Sequence, residues 1–148
     1  MDLEAVEGLL RAAVLAAGAG LLEQLLETVG VGRRGASVRC SCGARMDARK
    51  PCAHVNSRGL KATALLTLLG PVRFARSMFH CARCGKTRYP GDEELDVAGT
   101  TRSPGVRRLA ARFGAKETFK EVAEDLYQAA GIRLSPKDAE RIAETVGA

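Results

Sequence analysis

Two short cysteine motifs constrain the fold of this chain more than any other feature. They are Cys40-Ser41-Cys42-Gly43 and Cys81-Ala82-Arg83-Cys84-Gly85. The glycine after the second cysteine of each motif lets the backbone turn past a bound ion. A tetrahedral zinc needs four thiolate or imidazole ligands, and two such knuckles supply two each. The motifs therefore predict a structural Zn²⁺ site. Its expected ligands are Cys40, Cys42, Cys81 and Cys84.

Other interpretations of the cysteines stay open. The thiols could be reduced and partly buried, or they could form disulfides. Cys52 and His54 could replace one thiolate or belong to a second site, although one Cys and one His are not a full ligand set. An enzyme with redox thiols is a further class, but the sequence has no partner His/Asp arrangement, no phosphate loop and no acidic triad. We therefore expect no catalytic activity and no small-molecule substrate.

The N-terminus and the apolar runs indicate where such a chain resides. It has 148 residues and begins MDLEAVE, which is acidic where a secretory signal would be basic. The longest uncharged apolar stretch, from Ala12 to Leu22, has 11 residues, whereas a membrane span needs about 18 or more. We therefore expect a cytoplasmic protein without a membrane segment. In that compartment, cysteines favour metal binding over disulfides.

The net charge of +6 is distributed unevenly along the chain. Residues 1–30 carry one basic and five acidic side chains, whereas residues 31–91 carry thirteen basic side chains against Asp47 alone. Residues 102–116 add five basic side chains and no acid. A basic segment flanked by acidic helices is typical of proteins that bind polyanions, although basic surfaces also occur on proteins without such a partner.

Periodicity divides the chain into three predicted parts of an α+β fold. Residues 1–30 repeat leucine and valine at three- and four-residue steps, which predicts an amphipathic helical arm, with Gly18 and Gly20 expected to bend or split it. This arm is either a packing helix or a helix that pairs with a second copy of the chain. Residues 36–91 are the predicted zinc ribbon, in which Gly70-Pro71 turns a β-hairpin between the two cysteine knuckles.

Residues 102–148 predict three short helices with clear boundaries. Ser103-Pro104 begins the first, Thr118 and Glu121 form a capping box for the second, and Ser135 begins the third. Three interpretations of this unit stay open: a helix-turn-helix-like packing unit, a plain three-helix core, and a true reader of DNA bases.

Several motifs, in the order in which they follow one another along the chain, resemble the N-terminal region of ISKra-type insertion-sequence transposases. They run from Leu68-Leu69-Gly70-Pro71-Val72 through Phe79-His80-Cys81, Cys84-Gly85 and Tyr89-Pro90 to the acidic segment at Asp92, and then include SPGVRRLAARFGA and the segment Phe119–Val146. The resemblance covers roughly residues 35–148. It implies a zinc ribbon and a helix-turn-helix-like unit for DNA, followed in that family by a ribonuclease-H-like catalytic domain. This chain stops at Ala148, where that domain would begin, so the catalytic chemistry is not carried over.

Together these features predict a zinc-dependent accessory module for double-stranded DNA, nucleoid-associated in the cytoplasm and resembling part of a transposase. The alternative is a zinc-stabilised adaptor that dimerises through the N-terminal leucine-rich helix. For DNA binding, arginine and lysine around the ribbon and on the first C-terminal helix are the candidate phosphate contacts. They are Arg73, Arg76, Arg83, Lys86, Arg88, Arg102, Arg107, Arg108 and Arg112. Each alone could equally be a solvated surface charge.

Overall fold

The computed structural model describes residues 2–30, 35–48 and 60–147. Its helices are α1 (Leu3–Val29), α2 (Pro90–Glu94), α3 (Pro104–Gly114), α4 (Phe119–Ala130) and α5 (Pro136–Gly147). Its strands are β1 (Ser37–Arg39), β2 (Arg45–Ala48), β3 (Leu60–Thr67), β4 (Gly70–Ser77), β5 (Phe79–His80) and β6 (Thr87–Arg88). The predicted mixture of an N-terminal helix, small antiparallel sheets and C-terminal helices is confirmed.

Two compact units alternate along the chain. The first contains Met1–Gly20, Leu65–Val72 and Thr101–Ala148. The second contains Leu21–Ala64 and Arg73–Thr100. The division into segments 1–30, 36–91 and 102–148 stays a prediction.

A four-stranded antiparallel sheet in the second unit carries the cysteines. Its strand order is β1-β2-β5-β6. Strand β2 pairs with β5 through Asp47 opposite His80 and Ala48 opposite Phe79. This pairing places the β1–β2 turn beside the β5–β6 turn. The cysteine knuckles therefore belong to their own sheet, which corrects the prediction that the hairpin at Gly70-Pro71 forms the ribbon.

The predicted hairpin at Gly70-Pro71 is present as a separate two-stranded sheet of β3 and β4. Gly70 has φ +108°, a backbone conformation that side-chain-bearing residues rarely adopt. Thr67 stabilises the turn, because its hydroxyl donates to the Gly70 carbonyl at 2.8 Å and accepts the Leu69 amide at 3.1 Å. In β4 the side chains of residues 72, 74 and 76 are buried, as the period of two predicts.

Helix α1 is continuous over 27 residues and is not split at Gly18 or Gly20, whereas the expected bend stays a prediction. Apolar residues lie on two of its faces. One face carries the buried Ala19 and the partly buried Leu22 and Leu26, whereas the opposite face is exposed. The helix is therefore not amphipathic in the predicted sense, because its solvent-facing side is also rich in leucine and valine.

Length and composition allow α1 to span a membrane. Its most apolar window of 18 residues has a mean hydropathy of 1.6, and only 6% of that window is buried. The expectation that no segment could span a bilayer was too strict. It considered only the uncharged stretch between Arg11 and Glu23, whereas a membrane-spanning helix tolerates such charges near its ends. Core helices of soluble proteins and signal sequences share these properties, so they do not assign a location.

The three C-terminal helices begin at the predicted residues. The hydroxyl of Ser103 accepts the amide of the third residue of α3 at 3.3 Å. Thr118 and Glu121 form the reciprocal capping box of α4. Before α5, the hydroxyl of Ser135 accepts the Asp138 amide at 3.1 Å and donates to its carboxylate at 2.9 Å. These local hydrogen bonds satisfy amides that the helices cannot pair internally.

The three helices share one apolar core in the first unit. Helix α5 packs on both α3 and α4, and α3 also contacts α4. The buried residues of this core are Val106, Ala110, Val122, Leu126, Ile132, Ala139 and Ile142. Leu66 joins it from β3, since its amide donates to the Thr101 carbonyl and its carbonyl accepts the Ser103 amide, both at 2.9 Å.

Candidate metal centre

The first cysteine knuckle is the tight turn between β1 and β2. The amide of Cys40 donates to the Ala44 carbonyl at 2.8 Å, and the amide of Gly43 donates to the Cys40 carbonyl at 3.0 Å. Gly43 has φ +83°. A side chain at that residue would strain the turn, so the sequence Cys-x-Cys-Gly is what allows β1 to reverse into β2 here.

The second knuckle repeats this arrangement between β5 and β6. The amide of Cys81 donates to the Lys86 carbonyl, and the amide of Gly85 donates to the Cys81 carbonyl, both at 2.9 Å. Gly85 also has a positive φ, of +71°. Two turns of similar construction therefore present their sulfurs to the same point.

The four predicted cysteines lie together. Their sulfur atoms are all within 4.8 Å of one another. The Cys40 and Cys84 sulfurs are 3.5 Å apart, and the Cys42 and Cys81 sulfurs are 3.7 Å apart. A tetrahedral ion with metal–sulfur bonds of about 2.3 Å places its ligand sulfurs about 3.8 Å apart. The group is thus spaced to hold one metal ion.

Disulfides do not explain this cluster. All four cysteines are free thiols, and separations of 3.5 and 3.7 Å exceed a sulfur–sulfur bond of about 2.05 Å. The interpretation as isolated, partly buried thiols does not predict convergence of four residues from two distant turns. Cys52 and His54 lie outside the described residues, so their role stays a prediction.

The surroundings of Cys40, Cys42 and Cys81 shift the pKa of these thiols in different directions. The Cys42 amide lowers the pKa of Cys40 to about 6 despite burial. The Cys84 amide likewise lowers the pKa of Cys81. The Ala44 amide acts to lower the pKa of Cys42, but the Cys40 sulfur and burial outweigh it and raise that pKa to about 11. A metal ion that takes all four as thiolates would therefore release protons on binding.

The sheet around the cluster has very little other core. Its buried apolar residues are Cys40, Met46, Phe79 and Cys81. Val38, Ala44 and Ala48 pack against them and are only partly buried. Two of the four buried residues thus belong to the cysteine cluster itself. A sheet of this size gains little stability from apolar burial, and small domains of this kind commonly need a metal or disulfides.

Three predicted phosphate contacts in the second unit are solvent-exposed. Arg83 and Lys86 lie between β5 and β6, and Arg73 lies on β4. Arg88 is also exposed, but its guanidinium donates twice to the Glu93 carboxylate, both at 2.6 Å. That bond lowers the pKa of Glu93, so the pair stays ionised at neutral pH.

Arg76 occupies a different environment from the other predicted contacts. It is 9% exposed and ion-paired with Asp92, and its guanidinium lies 4.4 Å from the Tyr89 ring centroid. Arg76 is buried because it lies on the inward face of β4. A buried, ion-paired arginine cannot reach a DNA phosphate, so the prediction of Arg76 as a phosphate contact is wrong.

The basic residues of the helical unit also differ from one another. Arg108 and Arg112 are exposed on α3, and they lie one turn apart. Arg107 is partly buried, and Arg102 is held by Asp138 at 3.1 Å. Among the four predicted contacts of this unit, Arg108 and Arg112 are the two that present open cationic surface.

Arg39 and Arg133 are exposed cationic side chains that were not among the predicted contacts. Arg39 ends β1 and immediately precedes Cys40. Arg133 lies over the Tyr127 ring at 4.7 Å and donates to its hydroxyl at 3.2 Å. The position of Arg39 beside the first knuckle was the available signal, since residues that flank metal-binding turns share their surface.

Comparison of the chain with protein-family models, with curated proteins and with solved structures finds no significant match. The resemblance to ISKra-type transposases therefore stays a prediction.

Proposed function

We propose that the four-cysteine cluster binds one structural Zn²⁺ ion. Thiolate ligands at this spacing suit a tetrahedral zinc site, and four of them leave no open coordination position for water or substrate. The ion would hold the β1–β2 turn against the β5–β6 turn in a sheet that has little core of its own. This role is structural, and the proposal assigns the chain no catalytic step.

We further infer that the zinc-stabilised sheet binds the backbone of double-stranded DNA. The observation that carries this proposal is the group of exposed cationic side chains around the cysteine cluster. They are Arg39, Arg83 and Lys86, together with Arg88, which is bound to Glu93; Arg73 is a further exposed cation, on β4 of the same unit. Cationic side chains that surround a rigid turn suit the regularly spaced phosphates of a duplex.

The resemblance to the N-terminal region of ISKra-type transposases supports the same proposal. It would make the chain an accessory DNA-binding module, with a cytoplasmic, nucleoid-associated location. Arg108 and Arg112 on α3 offer a second basic surface. The exposed side of α5 carries both signs of charge, at Lys137, Glu140, Arg141 and Glu144, so we propose phosphate contacts and not base reading for this unit.

A fluorescence-anisotropy titration of labelled duplex DNA tests this proposal. If four or five of these side chains neutralise phosphates, the logarithm of the binding constant should fall against the logarithm of salt concentration with a slope of about −4. The titration should span about 50 to 200 mM salt. No binding at low salt, or binding that does not weaken with salt, would contradict DNA-backbone recognition.

The exposed face of α1 favours a second candidate function, self-association. Counting 100° per residue, the side chains of Leu3, Leu10, Val14, Leu21 and Leu25 fall within about 60° of one another. Their exposed fractions run from 57% to 72%. They form a stripe about 33 Å long at a rise of about 1.5 Å per residue. We refer to these five residues as the leucine stripe.

A second copy of this chain is the occupant we propose for the leucine stripe. Helix α1 carries four glutamates and one basic residue, Arg11. Arg11 is already engaged, because its guanidinium donates to the carbonyls of Gln128 and Ala129. Acidic side chains along the helix oppose anionic lipid headgroups and nucleic acid, whereas apolar burial between two copies requires no basic partner.

A further inference from the structure

An open cleft lies beside the first cysteine knuckle, in the second unit. Its volume is about 520 Å³, within the range of ligand-binding clefts. The lining residues are Arg39, Cys40, Ser41, Met46, Lys86, Thr87 and Arg88. Cys40 and Met46 are buried and form the floor, while the other five are exposed and form the rim. The cleft is thus apolar at its base and polar at its mouth.

The rim of this cleft is cationic. Three of its residues are basic, and no carboxylate is among the lining residues. Arg88 is oriented by the Glu93 carboxylate and by a 3.5 Å bond from its guanidinium to the Arg39 carbonyl. No residue in the described parts of the chain pairs with the guanidinium of Arg39 or the ammonium of Lys86. Two cations and the hydroxyls of Ser41 and Thr87 therefore face the opening.

We propose that this cleft binds a phosphodiester group of the DNA backbone. Arginine, lysine and hydroxyl side chains are the groups that commonly contact phosphate oxygens. The floor of Met46 and Cys40 suits the uncharged sugar that follows each phosphate. No aromatic ring is among the lining residues, so the cleft lacks a surface on which a base of a free nucleotide could stack. This inference rests on the proposed binding of duplex DNA.

The position of the cleft makes it dependent on the metal centre. Ser41 lies between two of the proposed ligands, and Lys86 and Thr87 directly follow Gly85 of the second knuckle. An ion that fixes both knuckles would therefore also fix both walls of the cleft. The same position allows a different role for the cations, which is to offset the negative charge of four thiolates around one divalent ion. The experiment separates these two roles.

The test uses the full zinc-loaded chain with Arg39→Ala, Lys86→Ala and the double variant. Arg45→Ala is the matched control, because Arg45 is an exposed arginine of the same sheet, pairs with Asp47 at 2.9 Å and does not line the cleft. Each single variant removes one positive charge, and the double variant removes two. Salt titrations with duplex DNA should show a slope smaller in magnitude by about 0.9 for each cleft variant and about 1.8 for the double variant, with no change for the control. Zinc affinity, measured by competition with a chromophoric chelator, should not change.

Each alternative outcome has a distinct meaning. If the unsubstituted chain binds DNA and the cleft variants keep its salt slope, the cleft inference is overturned while the proposed function stands. If the cleft variants lose zinc affinity at an unchanged slope, the cations serve the thiolates and the inference is likewise overturned. If the unsubstituted chain binds no DNA at low salt, the proposed function fails and the inference fails with it.

Discussion

Arg76 and Arg88 show how position on a strand decides what a cationic side chain can do. Both were predicted phosphate contacts, yet Arg76 is buried against Tyr89 and Asp92 whereas Arg88 is exposed. The alternation in β4 already placed Arg76 on the same face as Val72 and Phe74, so its burial could be predicted from the sequence. Its partner could not, because Asp92 follows sixteen residues later in a short helix without a periodic pattern.

Burial of this ion pair also changes the pKa of the Asp92 carboxyl group. Burial raises the pKa of Asp92, and the charge and hydrogen bond of Arg76 offset only part of that effect. A buried ion pair of this kind contributes little net stability, but removing one partner leaves a buried charge without compensation.

Replacing Arg76 with methionine tests this pair at the residue scale. We expect Arg76→Met to lower the free energy of unfolding by about 3 kcal/mol near pH 7, because Asp92 would then be buried without a counter-charge. Without Arg76, the folded-state pKa of Asp92 should rise further above its unfolded value of 3.8. A carboxyl with a raised folded-state pKa destabilises the fold at pH values above its unfolded pKa and does so fully above the raised pKa. The loss should therefore shrink as pH falls from that raised value toward 3.8. Urea titrations at several pH values measure it.

Arg88→Met is the control for this experiment. Arg88 and Glu93 form an exposed pair, with side chains 46% and 42% exposed, and such pairs contribute less than about 1 kcal/mol. Equal losses for the two variants, or a loss for Arg76→Met that grows on acidification, would show that the Arg76 pair is not the buried contact described.

At the scale of elements, predictions from local signals succeeded best. The N-terminal boundaries of α3, α4 and α5 follow from side chains that hydrogen-bond to amides three residues away, so a short stretch of sequence contains the whole signal. Strands β1, β2, β5 and β6 have two to four residues each. Such strands are too short to show alternation, and their pairing depends on residues far away in the chain.

Helix α1 shows a different limit of pattern reasoning. Its leucine repeat predicted one apolar face, but the helix has two, one partly buried and one exposed. A helix that is apolar on opposite sides has no polar face from which its orientation could be predicted.

The leucine stripe predicts that the chain is dimeric. Val14 lies at its midpoint and is 62% exposed, so Val14→Glu should convert dimers to monomers by placing a charge in the buried contact. Ala16→Glu is the matched control, since Ala16 is also exposed but lies about 160° away around the helix. Sedimentation velocity measures both variants and the unsubstituted chain.

A monomeric unsubstituted chain at all concentrations would contradict self-association through α1. The same conclusion follows if Val14→Glu and Ala16→Glu leave the dimer equally intact. A different result would assign the stripe to a lipid environment. In that case the unsubstituted chain would need detergent to stay soluble, and Val14→Glu would not.

At the scale of the whole molecule, the cysteines were the one long-range contact that the sequence contained. Their residue types and spacing predicted that residues near 40 and residues near 81 would meet, and their sulfurs do lie within 4.8 Å. The sheet that brings them together was not predicted, since the interpretation placed the knuckles on either side of the Gly70-Pro71 hairpin in one ribbon. Metal-ligand chemistry identifies the endpoints of a contact but not the strands that connect them.

The proposed functions depend on this centre to different degrees. The proposed DNA binding by the cleft would require both knuckles to be fixed, so it would depend on the proposed ion. Self-association through α1 does not involve the cysteines. Removal of zinc should therefore abolish DNA binding before it abolishes self-association. This difference separates the two candidate functions.

X-ray absorption at the zinc edge of the purified chain tests the central claim most directly. The account predicts one zinc per chain surrounded by four sulfur atoms at about 2.3 Å. A shell that contains nitrogen at about 2.0–2.1 Å would instead show that His54 or another imidazole replaces a thiolate. That result, or the absence of bound zinc, would contradict a centre formed by Cys40, Cys42, Cys81 and Cys84.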